Sequence, residues 1–190
     1  MVTAAPNAPQ RESKARWARK TSESNRDIGP PPPIVDIERR EEGRKSLRRF
    51  CEIYNPEAFY LGWSRDHLDA IDRIEEAVLD GALYALALPR GTGKTTLCRM
   101  GVLWAVSYAS RLYAFLIGAT ADKGREGLST IKTWMRFLPK YGEDFPEIAH
   151  AARALGGLAN RATGQLSCGE PTMIRWAKDR IVLPRVPVPA

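Results

Sequence analysis

Cysteine is scarce and scattered in this chain. Cys51, Cys98 and Cys168 are an odd number with no CxxC pair among them, and the two histidines, His67 and His150, stand far from all three. That excludes a zinc-ribbon spacing, and unpaired thiols point to a reducing, cytosolic compartment rather than a disulfide scaffold. No apolar run approaches the roughly 18 residues that span a bilayer. The N-terminus is rich in Ala, Pro and charge and lacks the apolar core of a signal peptide. Internal repeats are absent too. These absences predict a soluble intracellular protein with no membrane partner.

What is present begins with charge. The chain has 29 basic and 22 acidic residues, a formal net charge of +7, over 190 residues. Through Arg49 there are 12 Lys/Arg against 7 Asp/Glu, a net of +5; the remainder has 17 against 15, a net of +2. A basic arm ahead of a nearly neutral body suits an anionic partner, with nucleic acid first among candidates. A solvated tail that keeps the protein soluble is the other reading, and charge alone does not choose between them.

The composition divides the chain in two. Residues 1–46 read as a basic, Pro-rich, disordered tail, with few aliphatics and the run Pro30-Pro31-Pro32-Pro33. Residues 47–190 read as the folded part. Ser64 is a predicted N-cap for a helix over Arg65–Leu79, with Leu68, Ile71, Ile74, Ala77 and Val78 on one stripe, and Asp80-Gly81 ends it. Ala82–Leu88 is a short apolar run without polar alternation, which predicts a strand buried on both faces. A helix follows over Lys94–Ser110, a second buried strand over Tyr113–Gly118 and a longer helix over Ala121–Leu138. Strand, helix, strand, helix predicts an α/β fold, a parallel sheet with flanking helices. Beyond Pro139 the pattern suggests a helix over Phe145–Leu155 and short paired strands at Met173–Trp176 and Arg180–Leu183.

Between the first strand and the following helix lies Pro89-Arg90-Gly91-Thr92-Gly93-Lys94-Thr95-Thr96. This is the context of a phosphate-binding P-loop (Walker A). Gly91 and Gly93 permit positive φ and close approach of the backbone to phosphate. Successive amides would form a nest at the positive end of the helix. Lys94 would bridge the β- and γ-phosphates of ATP, Thr95 would complete the shell of Mg2+, and Arg90 would add a second cation. The whole stretch from Pro89 to Thr96 is therefore the predicted nucleotide site, with Lys94 and Arg90 its catalytic candidates. The glycine that usually stands six residues before the lysine is replaced by Leu88.

Several segments together resemble the N-terminal ATPase portion of the large terminase subunit of tailed bacteriophages, the motor that packages DNA. A Pro-Arg-Gly-x-Gly-Lys-Thr loop of the type found in that family accounts for Leu88. Trp63-Ser64-Arg65-Asp66-His67 resembles the family's adenine-side motif, with His67 where glutamine is usual; a helix-start histidine is the alternative. Ile117–Lys123 resembles the coupling segment, or else is a plain loop in which Thr120 caps a helix. Asp144-Phe145-Pro146-Glu147, Arg161–Gln165 and Gly169–Thr172 resemble further blocks in order and spacing. The resemblance implies a P-loop NTPase fold and ATP hydrolysis coupled to translocation of double-stranded DNA. It also implies a small terminase subunit and a portal protein as partners, a homo-oligomeric ring, and a phage- or prophage-encoded protein in the cytoplasm of a bacterial host.

One part of that pattern is missing. No apolar strand ending in Asp-Asp or Asp-Glu follows the loop, and no nuclease-like carboxylate cluster comes after it. The expectation is thus an ATPase domain incomplete at its C-terminal end, from a truncated frame or a split protein, with hydrolysis by this chain alone left open. A small P-loop kinase, a helicase-like ATPase and a non-catalytic remnant that binds nucleotide remain alternatives.

Overall fold

The computed structural model describes residues 26–187 and the single position Ser13. The expected tail falls partly outside this range, at residues 1–12 and 14–25. From Arg26 onward the chain packs. The Asp27 carboxylate accepts from the amides of Gly29, Cys168 and Gly169, and the backbones of Ile28 and Leu166 are joined at 2.9 Å.

Helix α1 (Ile37–Lys45) is capped by Asp36, whose side chain accepts from the Arg39 amide. Ser46 then breaks the helix and caps α2 (Leu47–Tyr54). In α2 the apolar residues fall on one face, so Leu47, Phe50, Cys51, Ile53 and Tyr54 are all buried and the helix forms the centre of the core. Around it pack α3 (Arg65–Leu79), α4 (Lys94–Ser107), α5 (Ala121–Phe137), α6 (Pro139–Asp144) and α7 (Pro146–Ala154). A short 3-10 helix (Ala159–Ala162) leads into two antiparallel hairpins, β1 (Leu166–Ser167) with β2 (Glu170–Pro171) and β3 (Arg175–Ala177) with β4 (Arg180–Val182).

The core is aromatic at its heart. Phe50, Tyr54, Tyr108, Tyr141 and Phe145 meet at centroid distances between 4.7 and 6.3 Å, mostly edge to face. Gly43 is needed where α1 crosses them: a Cβ there would stand 2.8 Å from the Tyr108 hydroxyl. At one edge of this cluster Asp144 is fully buried. It accepts from Arg39 Nε and Nη2 at 2.6 Å each and from the Tyr54 hydroxyl at 2.8 Å. Arg40 reaches the Asp144 carbonyl and the Glu147 carboxylate beside it. Hydrogen bonding to Asp144, reinforced by Glu143, holds the Arg39 guanidinium above its ordinary pKa. The charged run at the end of the expected tail is therefore a docked helix, because its arginines find carboxylates about a hundred residues downstream.

The expected parallel sheet is not formed, and the P-loop NTPase fold predicted from the strand–helix alternation is corrected here. The described residues are mostly helical, and their only strands are the two antiparallel pairs. Ala82–Leu88 and Tyr113–Gly118 carry no strand, and among the described residues no backbone hydrogen bond joins either segment to anything. Burial on both faces fails too, since Leu83 is 100 % and Ile117 84 % exposed. Only Leu86, Leu88 and Leu116 lean on the core. The physical reason is that a strand exists only as one of a pair. Apolar runs favour an extended backbone, but periodicity names no partner. Where a sheet was expected against α4 and α5, there is an open cleft of about 1070 Å3 lined by Val102, Val106, Leu116, Leu128, Ile131 and Met135.

The helices fared better. α3 matches its expected bounds, Ser64 and Thr120 are the caps anticipated for α3 and α5, and β3 and β4 pair where short strands were expected. No helix among the described residues is long and apolar enough to cross a membrane.

Two outcomes follow from this packing. Asp144→Ala removes the buried acceptor of Arg39 and Tyr54, and because Arg39 keeps Glu143 the cost is about 3 kcal/mol, at the low end for a broken buried pair; the midpoint of urea unfolding measures it. Of the three thiols Cys51 alone is buried, and burial pushes its pKa up. Partial burial raises the Cys98 thiol as well, so a chromogenic disulfide reagent added to native protein will titrate Cys168 first, Cys98 more slowly and Cys51 only after denaturant is added.

Candidate functional site

The loop from Pro89 to Thr96 opens α4, a helix of 14 residues. Gly93 is the N-cap residue at φ 74°, with no side-chain cap, and Gly91 has φ 85°. At both glycines nothing lies within 4 Å of where a Cβ would stand. The left-handed backbone, not crowding by the protein, is what calls for glycine there.

The loop braces itself internally. The Thr92 hydroxyl donates to the Pro89 carbonyl at 2.9 Å, and Lys94 Nζ turns back across the loop to the carbonyls of Leu88 (2.8 Å) and Pro89 (3.1 Å). The first helical amide to find a backbone acceptor is that of Leu97, which donates to Gly93 at 2.9 Å. Among the described residues the amides of Gly91 through Thr96 have no protein acceptor. Unpaired amides at a helix start, next to an ammonium, are an arrangement suited to an anion.

The structure places the other expected residues as follows. Arg90 and Thr95 are exposed beside the unpaired amides, Thr96 is half-buried and Pro89 exposed. Arg90 has no ion-pair partner among the described residues, which leaves its charge available. No cluster of three His, Cys, Asp or Glu side chains able to hold a metal occurs among the described residues. The side chain that Mg2+ would meet at the loop is the Thr95 hydroxyl, a single donor that would suit an ion keeping most of its water and arriving on phosphates.

His67 does reach the loop. Its Nε2 donates to the Thr92 carbonyl at 2.8 Å, while Nδ1 lies 2.9 Å from the Ser64 hydroxyl and 3.3 Å from the Ser64 amide. Sequence reasoning placed His67 near the site but missed this bond and what stands behind it. Trp63 meets the His67 ring edge-on at 6.1 Å, stacks on Phe59 at 5.2 Å and donates from its indole to Glu52 at 2.8 Å. Burial alone would raise the Glu52 carboxyl, but hydrogen bonds from Arg48, Arg49 and Trp63 bring it below its ordinary value. The legible signal was the Ser64-x-x-His67 capping spacing; the reach across to Thr92 had none.

The remaining resemblance blocks have structural work in this fold. Thr120 caps α5 by accepting from the Lys123 amide, and Asp144 and Glu147 serve the α1 arginines. Gln165 ties the Ala151 carbonyl to the Thr172 hydroxyl. None of them hydrogen-bonds the loop. Arg161 is exposed within the 3-10 helix, and its guanidinium lies near Gly156.

Comparison with known proteins returns no match, whether to a family model, a curated protein or a solved structure.

Proposed function

We propose that this chain binds the phosphates of ATP, accompanied by Mg2+, at Pro89–Thr96. The observation that carries this reading is the run of unpaired amides from Gly91 to Thr96, with Lys94 Nζ resting only on the loop's own carbonyls. An ammonium parked on neutral carbonyls is poised to exchange them for a stronger anionic acceptor. In that role Lys94 would hold the β- and γ-phosphates, Arg90 would add positive charge at the rim, and the Thr95 hydroxyl would be the loop's donor to the metal. Mg2+ would supply neutralisation of phosphate charge there.

The wider role we propose is that of the nucleotide-binding segment in a phage DNA-packaging motor of the terminase type, an ATPase acting on double-stranded DNA in the cytoplasm of a bacterial host. The support is the ordered set of motifs around the loop and the basic arm ahead of it. The small terminase subunit, the portal protein and a ring of copies belong to the same proposal. The reading does not depend on a parallel sheet, because the cradle is built by the start of α4 and the two glycines.

Calorimetric titration with ATP and Mg2+ tests the site: Lys94→Ala should abolish detectable binding, and an affinity equal to the parent's would overturn it. The motor role is tested by nucleotide turnover, which double-stranded DNA should stimulate. Turnover raised by a small phosphate acceptor and indifferent to DNA would favour a kinase instead.

A further inference from the structure

We infer that His67 is a positioning residue for the phosphate loop, setting the orientation of the peptide between Thr92 and Gly93. The inference rests on the nucleotide-binding reading above and concerns the phosphates rather than the base.

Donors and acceptors fix the tautomer of the His67 ring. The Thr92 carbonyl can only accept, so the proton of the His67 ring lies on Nε2. Nδ1 is then an acceptor, which suits the Ser64 amide at 3.3 Å and the Ser64 hydroxyl at 2.9 Å. One neutral tautomer satisfies every partner. The ring is also held in place, with Trp63 against its side and Trp63 fixed in turn by Phe59 and Glu52.

The peptide it grips lies between two glycines. Gly91 and Gly93 flank Thr92, both at positive φ and both with open space in front. Glycine crosses between left- and right-handed conformations at little cost, so this peptide plane is free to flip unless something holds it. In a planar trans peptide the carbonyl and the following amide point in opposite directions. Fixing the Thr92 carbonyl on His67 therefore turns the Gly93 amide away from the histidine, and that amide belongs to the unpaired run Gly91–Thr96. A flipped peptide would present a carbonyl to an incoming anion. His67 thus preorganises the cradle before any ligand arrives.

His67 also sits at the third helical position, where it completes the Ser64 capping box of α3. A capping role alone would appear in stability and leave anion affinity unchanged. The experiment separates these with two ligands and two variants. His67→Gln keeps a donor for Thr92; His67→Phe keeps the ring against Trp63 and removes the donor. Calorimetry with ATP–Mg2+ and with inorganic pyrophosphate, alongside melting temperatures, gives the readout. His67→Phe should lose about tenfold in affinity for both ligands, the scale of one hydrogen bond. His67→Gln should stay within about threefold of the parent. Pyrophosphate affinity unchanged in His67→Phe overturns the inference and assigns His67 to the base or to the cap. An equal loss in both variants overturns it too, since the donor would then be irrelevant. If the parent binds neither ligand, the nucleotide-binding reading itself fails; if it binds both, that reading stands whatever His67 does.

Discussion

Asp144 is a carboxylate with no exposure to water, and much of the molecule is arranged to satisfy it. Burying an unpaired carboxylate is prohibitively costly, so its neighbours must bring hydrogen bonds and a counter-charge. Arg39 brings both from α1, Tyr54 brings a hydroxyl from α2, and the aromatic cluster closes around them. This constraint docks α1 onto the helical body and fixes where α2 lies across the core. Arg40 extends the same arrangement to α7 through Glu147.

The candidate site hangs from that frame by a short chain of contacts. Once α2 is fixed, Glu52 on its polar face is fixed as well, and it holds the Trp63 indole. Trp63 walls the His67 ring, and His67 holds the Thr92 carbonyl in the loop. Each link is polar or aromatic and directional. The loop is therefore braced from the core without a sheet behind it. The same architecture leaves the apolar runs on either side of α4 unpaired, with Leu83, Tyr113, Phe115 and Ile117 exposed.

Much of the helical framework was legible in the residues. Ser64 and Thr120 announce their helices because a side-chain oxygen at the N-cap is a local device, complete within four residues. The stripe through Leu68, Ile71 and Ile74 fixes α3 for the same local reason. The loop glycines were legible because positive φ is a property of single residues, and both adopt it. That the two apolar runs would stay unpaired was not legible. Ala82–Leu88 and Tyr113–Gly118 have the composition of buried strands, but pairing is a relation between distant segments and composition does not contain it. The docking of α1 escaped notice for a parallel reason: Arg39 and Arg40 look like solvated charge until Asp144 and Glu147 are seen beside them.

The sequence by itself determined the helices that carry their own caps and stripes, the turn at Asp80-Gly81, and a glycine-flanked loop ending in Lys94 at the start of a helix. These depend on interactions within a few residues, where spacing is geometry. Only the tertiary structure decided that the apolar runs stay unpaired, that a charged N-terminal stretch becomes a packed helix, and that His67 reaches Thr92. Those outcomes depend on which groups meet across tens of residues. There the choice is made by desolvation and hydrogen-bond satisfaction in a shared core, and no local pattern records it.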